Sequence, residues 1–298
     1  MSIFLPSYRG FITGPTDAVA SQPLSGISHN EASSETTVVA SQSLSGISHN
    51  EAFSETTVVA SQPGYLKRSL TFDEQTNNRI FINSLNASSE IGSGDASIAV
   101  WIKKPSGHTG ESGIVHLGGS NILTSGSGGR AFTLYVDDDT LYVRTPDKTN
   151  TSVMTLSDDT WTHVVATWVG STGDLNVYVN DVEELDTTLT GGNSLDSGDC
   201  LVGNIMGVSS PNRPSAVKIA AASIWERVLS STEAGNLHDY TSTPSDLSTD
   251  LIFDVELEDG EGGDYATSGT NLTETVGTYY ARVVGASILW HNDGPELI

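Results

Sequence analysis

Between Asp254 and Glu258 the sequence reads Asp-Val-Glu-Leu-Glu, with carboxylates at alternate positions. On a strand alternate side chains share a face, so Asp254, Glu256 and Glu258 would point the same way. Paired carboxylates are the equipment of glycoside hydrolysis: one, held protonated, donates to the leaving oxygen while the other attacks or activates water. The same string runs straight into the acidic turn Asp259-Gly260-Glu261-Gly262-Gly263. An edge strand with a solvated acidic face accounts for the pattern without catalysis. On that reading the chain is not an enzyme and has no catalytic residue.

Carboxylates are also the hard oxygen ligands that calcium takes. The acid-rich turns place Asp137, Asp139, Asp158, Asp159 and Asp259 as candidate calcium ligands, although none lies in an EF-hand loop or another dedicated cage. No H-x-x-x-H or cysteine-paired metal spacing occurs among the histidines. His163 reads as a structural, hydrogen-bonded residue, and His29 and His49 recur in Ser-His-Asn-Glu through duplication. Gly126-Ser-Gly-Gly-Arg130 lacks the lysine and following helix of a phosphate loop. Cys200 is the sole cysteine, so no intrachain disulfide exists.

The elements that must position these residues are strands. Trp161–Val169 and Leu175–Val179 are rich in Val, Thr, Trp and Tyr and are joined by a loop holding Gly170 and Gly173, which predicts a hairpin. Its second strand alternates Leu175, Val177 and Val179 against Asn176 and Tyr178. Its first is apolar on both faces and must be covered twice, as inside a two-sheet sandwich. Further strands are expected at 69–72, 79–82, 97–102, 113–117, 131–136, 141–144, 200–203 and 217–225. A short helix over 231–240 would be opened by Ser230 or Ser231, with Glu233 in its first turn. Past Asp246, strand-like runs at 251–257, 279–284 and 287–290 either extend the sheets or form an appended β unit.

The string Trp161–Asp181, WTHVVATWVGSTGDLNVYVND, resembles the signature of the laminin-G-like, concanavalin-A-like jelly-roll family. Ser97–Ile102 stands where that family has an aromatic-Trp strand, and Ala220–Tyr240 where it has a strand leading to a short helix. The resemblance covers roughly Ser69 to Tyr240 and implies an all-β, antiparallel two-sheet jelly roll. The family often carries an Asp-Glu pair where this chain has Ala221 and Ala222, so the role of those acids does not carry over. Laminarinase-type glucanases of the same fold use Glu-x-Asp-x-Glu, from which Asp254-Val-Glu256-Leu-Glu258 departs at its first and central acids. The fold does not name a ligand, because one fold hosts many functions.

Composition narrows the partners. With 13 Lys and Arg against 37 Asp and Glu, the net charge is −24, a surface that repels nucleic-acid backbones and anionic lipid. The N-terminus lacks a basic segment followed by an apolar core, and no run approaches the roughly 18 apolar residues of a membrane span. Neither ordinary export nor membrane insertion is expected.

Residues Val19–Val38 recur as Val39–Val58 with only Pro23/Ser43 and Ser33/Phe53 differing, and a third copy begins at Val59. Each unit has few large apolar groups and cannot bury a core alone. The expected organisation is an extended N-terminal arm (1–64), a sandwich (65–240) and a C-terminal β extension packing on it (241–298). In the arm, Phe4, Leu5, Tyr8, Phe11 and Ile12 are the candidate anchoring residues. The leading expectation is a virion structural protein, a bacteriophage capsid-decoration, head-fibre or tail-associated component made in the host cytoplasm and displayed on the virion surface. Its partners would be other virion proteins and host-surface glycan, and a homo-oligomer is compatible. A free calcium-dependent glycan-binding adhesin and a glycoside hydrolase are the alternatives.

Overall fold

The computed structural model describes residues 18–20, 38–40, 68–72, 78–119, 129–205, 214–257, 268, 271–272, 274–276, 279–285 and 288–295. The candidate anchoring residues Phe4, Leu5, Tyr8, Phe11 and Ile12, the acids Glu258 and Asp259, and His29 and His49 lie outside them. Residues Met1–Pro63 and Gly64–Ile298 form separate units. In the first, β1 (Ala18–Ala20) pairs in parallel with β2 (Val38–Ala40), Ala18 opposite Val38, so equivalent positions of the two repeats stand side by side.

The second unit is nearly all β. Its strands are β3 (Ser69–Phe72), β4 (Arg79–Asn83), β5 (Ala96–Lys103), β6 (Glu111–Gly118), β7 (Ala131–Asp137), β8 (Thr140–Arg144), β9 (Asn150–Thr155), β10 (Trp161–Trp168), β11 (Asp174–Val179), β12 (Val182–Thr188), β13 (Leu201–Val202), β14 (Lys218–Trp225), β15 (Leu251–Glu256), β16 (Asn271–Leu272), β17 (Glu274–Val276), β18 (Tyr280–Val284) and β19 (Ile288–His291). Among the described residues two helices join them, α1 (Ala87–Glu90) and α2 (Ser231–His238). One sheet runs β12-β11-β10-β5-β14-β15-β17, with β3 on β14 and β19 on β3. The other runs β16-β18-β4-β13-β6-β7-β8-β9. All pairs of both sheets are antiparallel.

The two sheets close on one core. Ile98, Val100 and Ile102 of β5, Val164, Ala166 and Trp168 of β10, and Phe253 and Val255 of β15 meet Ile80 and Ile82 of β4, Phe132, Leu134 and Val136 of β7, and Val143 of β8. These are the period-2 faces that the alternation predicts, and together they make the jelly-roll sandwich. The strands beyond residue 246 belong to both sheets, β15 beside β14 and β18 beside β4.

The hairpin of β10 and β11 stands as expected, with Leu175, Val177 and Val179 inward. Gly173 has φ +83°, and a Cβ there would lie 2.3 Å from the Leu189 carbonyl oxygen, so both the turn and the packing need glycine. Asn180 and Asp181, with φ of 48° and 64°, make the two-residue turn into β12. The expected strands do not include β9 and β12, nor the short β1, β2, β16 and β17. The side chains of β9 and β12 are mostly polar and none is fully buried, so no apolar alternation marks these two strands.

The outer faces of β5 and β10 are covered by α2. Ala99, Val165 and Trp225 of the sheet pack against Leu229, Ala234 and Leu237. Trp168, at 1% exposure, lies in the core, whereas Trp161 at the start of β10 is half-buried on the outer face. Trp168→Ala should therefore cost about 3–5 kcal/mol, and Trp161→Ala roughly 1–2 kcal/mol. Urea unfolding of the two variants would check the difference.

Candidate functional site

The cover over the nine-stranded sheet is fixed by a few polar contacts. Ser230 caps α2: its Oγ accepts from Glu233 N at 3.2 Å, while Glu233 Oε2 accepts from Ser230 N at 2.8 Å. Arg227 holds the same carboxylate from both sides, Nη2 to Oε1 at 2.7 Å and Nη1 to Oε2 at 3.1 Å. The Arg227 hydrogen bonds, with those of Ser230, hold Glu233 down at about 2. Ser97 Oγ donates to the Arg227 carbonyl at 2.7 Å and accepts from Leu229 N at 2.9 Å, which ties the approach to α2 onto β5. Trp225 Nε1 donates to the Leu247 carbonyl at 2.8 Å and fixes the segment that returns from the helix.

Between that returning segment and the sheet lies a cleft of about 460 Å³, counting the open solvent at its mouth. Register builds its floor. One row across the sheet is His163, Trp101, Ala221 and Glu256; the next is Val165, Ala99, Ser223 and Asp254. Leu237, Tyr240 and the Ser242–Pro244 segment form the opposite wall. Trp101 stacks on Tyr240, ring centroids 5.8 Å apart and 9° from parallel, and on His238 at 5.7 Å. Tyr240 itself has φ +55° at the end of the helical segment, which turns the chain back over the sheet.

The paired acids are where the alternation places them, Asp254 and Glu256 on one face and in one cleft. The solvated edge expected for them is not found. β15 lies between β14 and β17, and Asp254 is 1% exposed. Burial raises its pKa to about 6, aided by the charge of Glu256, while the hydrogen bond donated by Ser223 Oγ to Oδ1 at 2.7 Å works the other way. Ala221 stands directly between Trp101 and Glu256, so its methyl side chain leaves the floor open.

His163, expected to be structural, is buried at the floor of the cleft. Its backbone N donates to Asn180 Oδ1 at 2.8 Å, its ring lies 4.9 Å from that of Trp101, and burial, with the neighbouring His238, depresses it to about 3. It is a neutral imidazole at pH 7.

The acid-rich turns have another use. Lys104, with a side chain 1% exposed, reaches between them: Nζ donates to Asp139 Oδ1 at 2.7 Å and also to Asp158 Oδ1. Burial works against its ammonium, but the hydrogen bonds and charges of the two aspartates outweigh it and raise its pKa. Asp137, at the end of β7, is raised by burial and by the charges of Glu111 and Asp138, and Asp159 takes a left-handed turn conformation with φ 51°. Among the described residues no group of three or more His, Cys, Asp or Glu side chains is placed to hold a metal ion. Among the same residues no helix is long and apolar enough to cross a membrane.

This chain belongs to the concanavalin A-like lectin/glucanases superfamily: the laminin-G model of that superfamily matches residues 71–235, more than half of the chain. Among solved structures it is similar to a protein of Bacteroides ovatus provisionally described as carbohydrate binding, with a TM-score of 0.57 and 17% identity over 79% of this chain and 63% of that one. This chain therefore spans less than two thirds of that protein. It is also similar to the heptameric SAP-like pentraxin of Limulus polyphemus, at TM-score 0.46 and 12% identity over 74% of this chain and 96% of that one. A third similarity is to Trypanosoma rangeli sialidase, at TM-score 0.37 and 17% identity over 49% of this chain and 22% of that one. No curated protein sequence matches this chain.

Asp254 has a consequence for stability. Its folded pKa lies above the ordinary carboxylate value, so the folded protein binds this proton more tightly than the unfolded chain does. The group's contribution is fully present below pH 4 or so and is lost as pH rises through 6, by roughly 2–3 kcal/mol. Asp254→Asn, which keeps an acceptor for Ser223, should raise stability at pH 7 by an amount of that order and leave it little changed at pH 4. Denaturant titrations at the two pH values would show it.

Proposed function

We propose that this chain is a non-catalytic carbohydrate-binding sandwich. The observation that carries the reading is the cleft on the outer face of the nine-stranded sheet, where two carboxylates stand beside an aromatic wall and a rim of hydroxyls. Carboxylates accept hydrogen bonds from adjacent sugar hydroxyls, and bonds to charged acceptors are the stronger kind. Ser223, Ser242 and Thr243 supply donors and acceptors around them, while Leu237 and Pro244 give the apolar ground on which a sugar ring can rest. The lectin-like family and the described binding of the Bacteroides protein support the same reading.

Glycan-array binding by the whole chain tests it. Asp254→Asn and Glu256→Gln should each weaken the bound glycan by about tenfold or more. Absence of binding to any glycan, or binding that neither variant disturbs, would remove the proposal. A hydrolase has one observation in its favour, a carboxyl near 6 next to a second carboxylate. Sugar release by the intact chain that Glu256→Gln abolishes would establish that activity instead.

The setting we propose is a virion surface, with the sandwich displayed by its repeat-bearing N-terminal segment. The duplicated Val19–Val38 unit, poor in large apolar groups and set ahead of a lectin-like sandwich, supports it. Mass spectrometry of purified particles should find the chain; particles without it would end that assignment.

A further inference from the structure

The cleft over the nine-stranded sheet has a charge as well as a shape. Among the described residues that line it, Asp254 and Glu256 are acids, none is Lys or Arg, and His163, depressed to about 3, is neutral. The two carboxylates stand two positions apart on one face of β15; Glu256 is half-buried, and the more enclosed Asp254 lines the same cavity. Negative charge partly withdrawn from water is screened less than charge on an open strand, so it attracts a cation more strongly. Burial and the charge of Glu256 push the Asp254 carboxyl up to about 6, against the hydrogen bond from Ser223 Oγ. A second negative charge there is costly, and a cation beside the pair would relieve that cost.

The shape suits a ring. Along the row Trp101, Ala221, Glu256, two strand spacings, roughly 10 Å, separate the indole residue from the acid. Only the methyl group of Ala221 stands between them, and Tyr240 and Pro244 belong to the facing wall. A neutral sugar seated there would use the carboxylates as acceptors and leave their charge uncompensated. An ammonium on the ring supplies three N–H donors and the opposite charge together, and acetylation of that amine removes the charge. Building on the carbohydrate reading above, we propose that the cleft selects amino sugars with an unacetylated amine, the ammonium binding Glu256 and Asp254 and the ring lying over Ala221 against Tyr240 and Pro244.

The net charge of −24 attracts any polyamine, so the test must separate the cleft from the surface at large. The probe is the β-1,4-linked glucosamine trimer, at a pH that keeps its amines protonated. Calorimetry on the full chain compares it with the fully N-acetylated trimer and with cellotriose, which share its linkage and length. The amino trimer should bind about tenfold or more tightly than either, and its advantage should shrink as salt is raised. Glu256→Gln should cut that advantage to about twofold or less, and Asp254→Asn should lower it by about threefold, because Glu256 keeps its charge. Asp254→Asn, expected to gain stability at neutral pH, keeps the test decisive should Glu256→Gln fail to fold. Glu184→Gln, which removes an equal charge from the exposed part of β12, should leave the advantage unchanged. Equal binding of the three trimers would overturn the inference and leave the cleft a site for neutral sugars. An advantage that survives the Asp254 and Glu256 substitutions, or that Glu184→Gln lowers as much, would overturn it in favour of attraction to the whole acidic surface. No binding of the amino trimer would overturn it too, with the broader carbohydrate reading then decided by the glycan array.

Discussion

The strands β5 and β10 are apolar on both faces, and a sheet cannot leave such strands open to water on either side. One side is met by the second sheet, through Ile98, Val100, Val164 and Trp168. The other is met by α2 and the segment that follows it, through Leu229, Ala234 and Leu237. The helix is short and owes its place to its capping box, to Arg227 and to Ser97 rather than to its own propensity. Where this cover stops, past Tyr240, the outer face of the sheet is left lined by Trp101, Ala221, Glu256 and Asp254. The cleft is thus a by-product of covering a doubly apolar strand pair with a helix too short to cover all of it.

Electrostatics gives the two sheets different outer faces. On the nine-stranded sheet, the charged groups lining the cleft are acids, and burial moves Asp254 toward its neutral form. On the eight-stranded sheet, the Arg144 guanidinium is enclosed and, among the described residues, donates to the neutral Lys148 carbonyl and Asn150 Oδ1. At the hairpin ends, the acid-rich turns close on Lys104, so two of the carboxylates that could attract a hard cation already hold an ammonium. The net charge of −24 describes the chain as a whole and none of these places.

Much of the sandwich is legible along the chain. The alternation of Ile98, Val100 and Ile102 against Trp101, and of Leu175, Val177 and Val179 against Asn176 and Tyr178, gives both strands and both faces. The Ser230/Glu233 spacing gives the start of α2. β9 and β12 escape because a strand whose side chains mostly face water needs no apolar pattern. Asp254 and Glu256 are legible as a pair on one face, but their burial is not, since Asp-Val-Glu-Leu-Glu reads the same on an edge as between two neighbours.

By itself, then, the sequence determined what depends on near neighbours: strand period, turn residues such as Asn180 and Asp181 with positive φ, the helix cap and the family signature around Trp161. Tertiary structure decided what depends on strands distant in the chain becoming adjacent. It set Ala221 between Trp101 and Glu256, sank Asp254 beneath the returning segment, drew Lys104 between Asp139 and Asp158, and enclosed Arg144. Desolvation and pairing are properties of a place in three dimensions, and no local pattern of residue types encodes them.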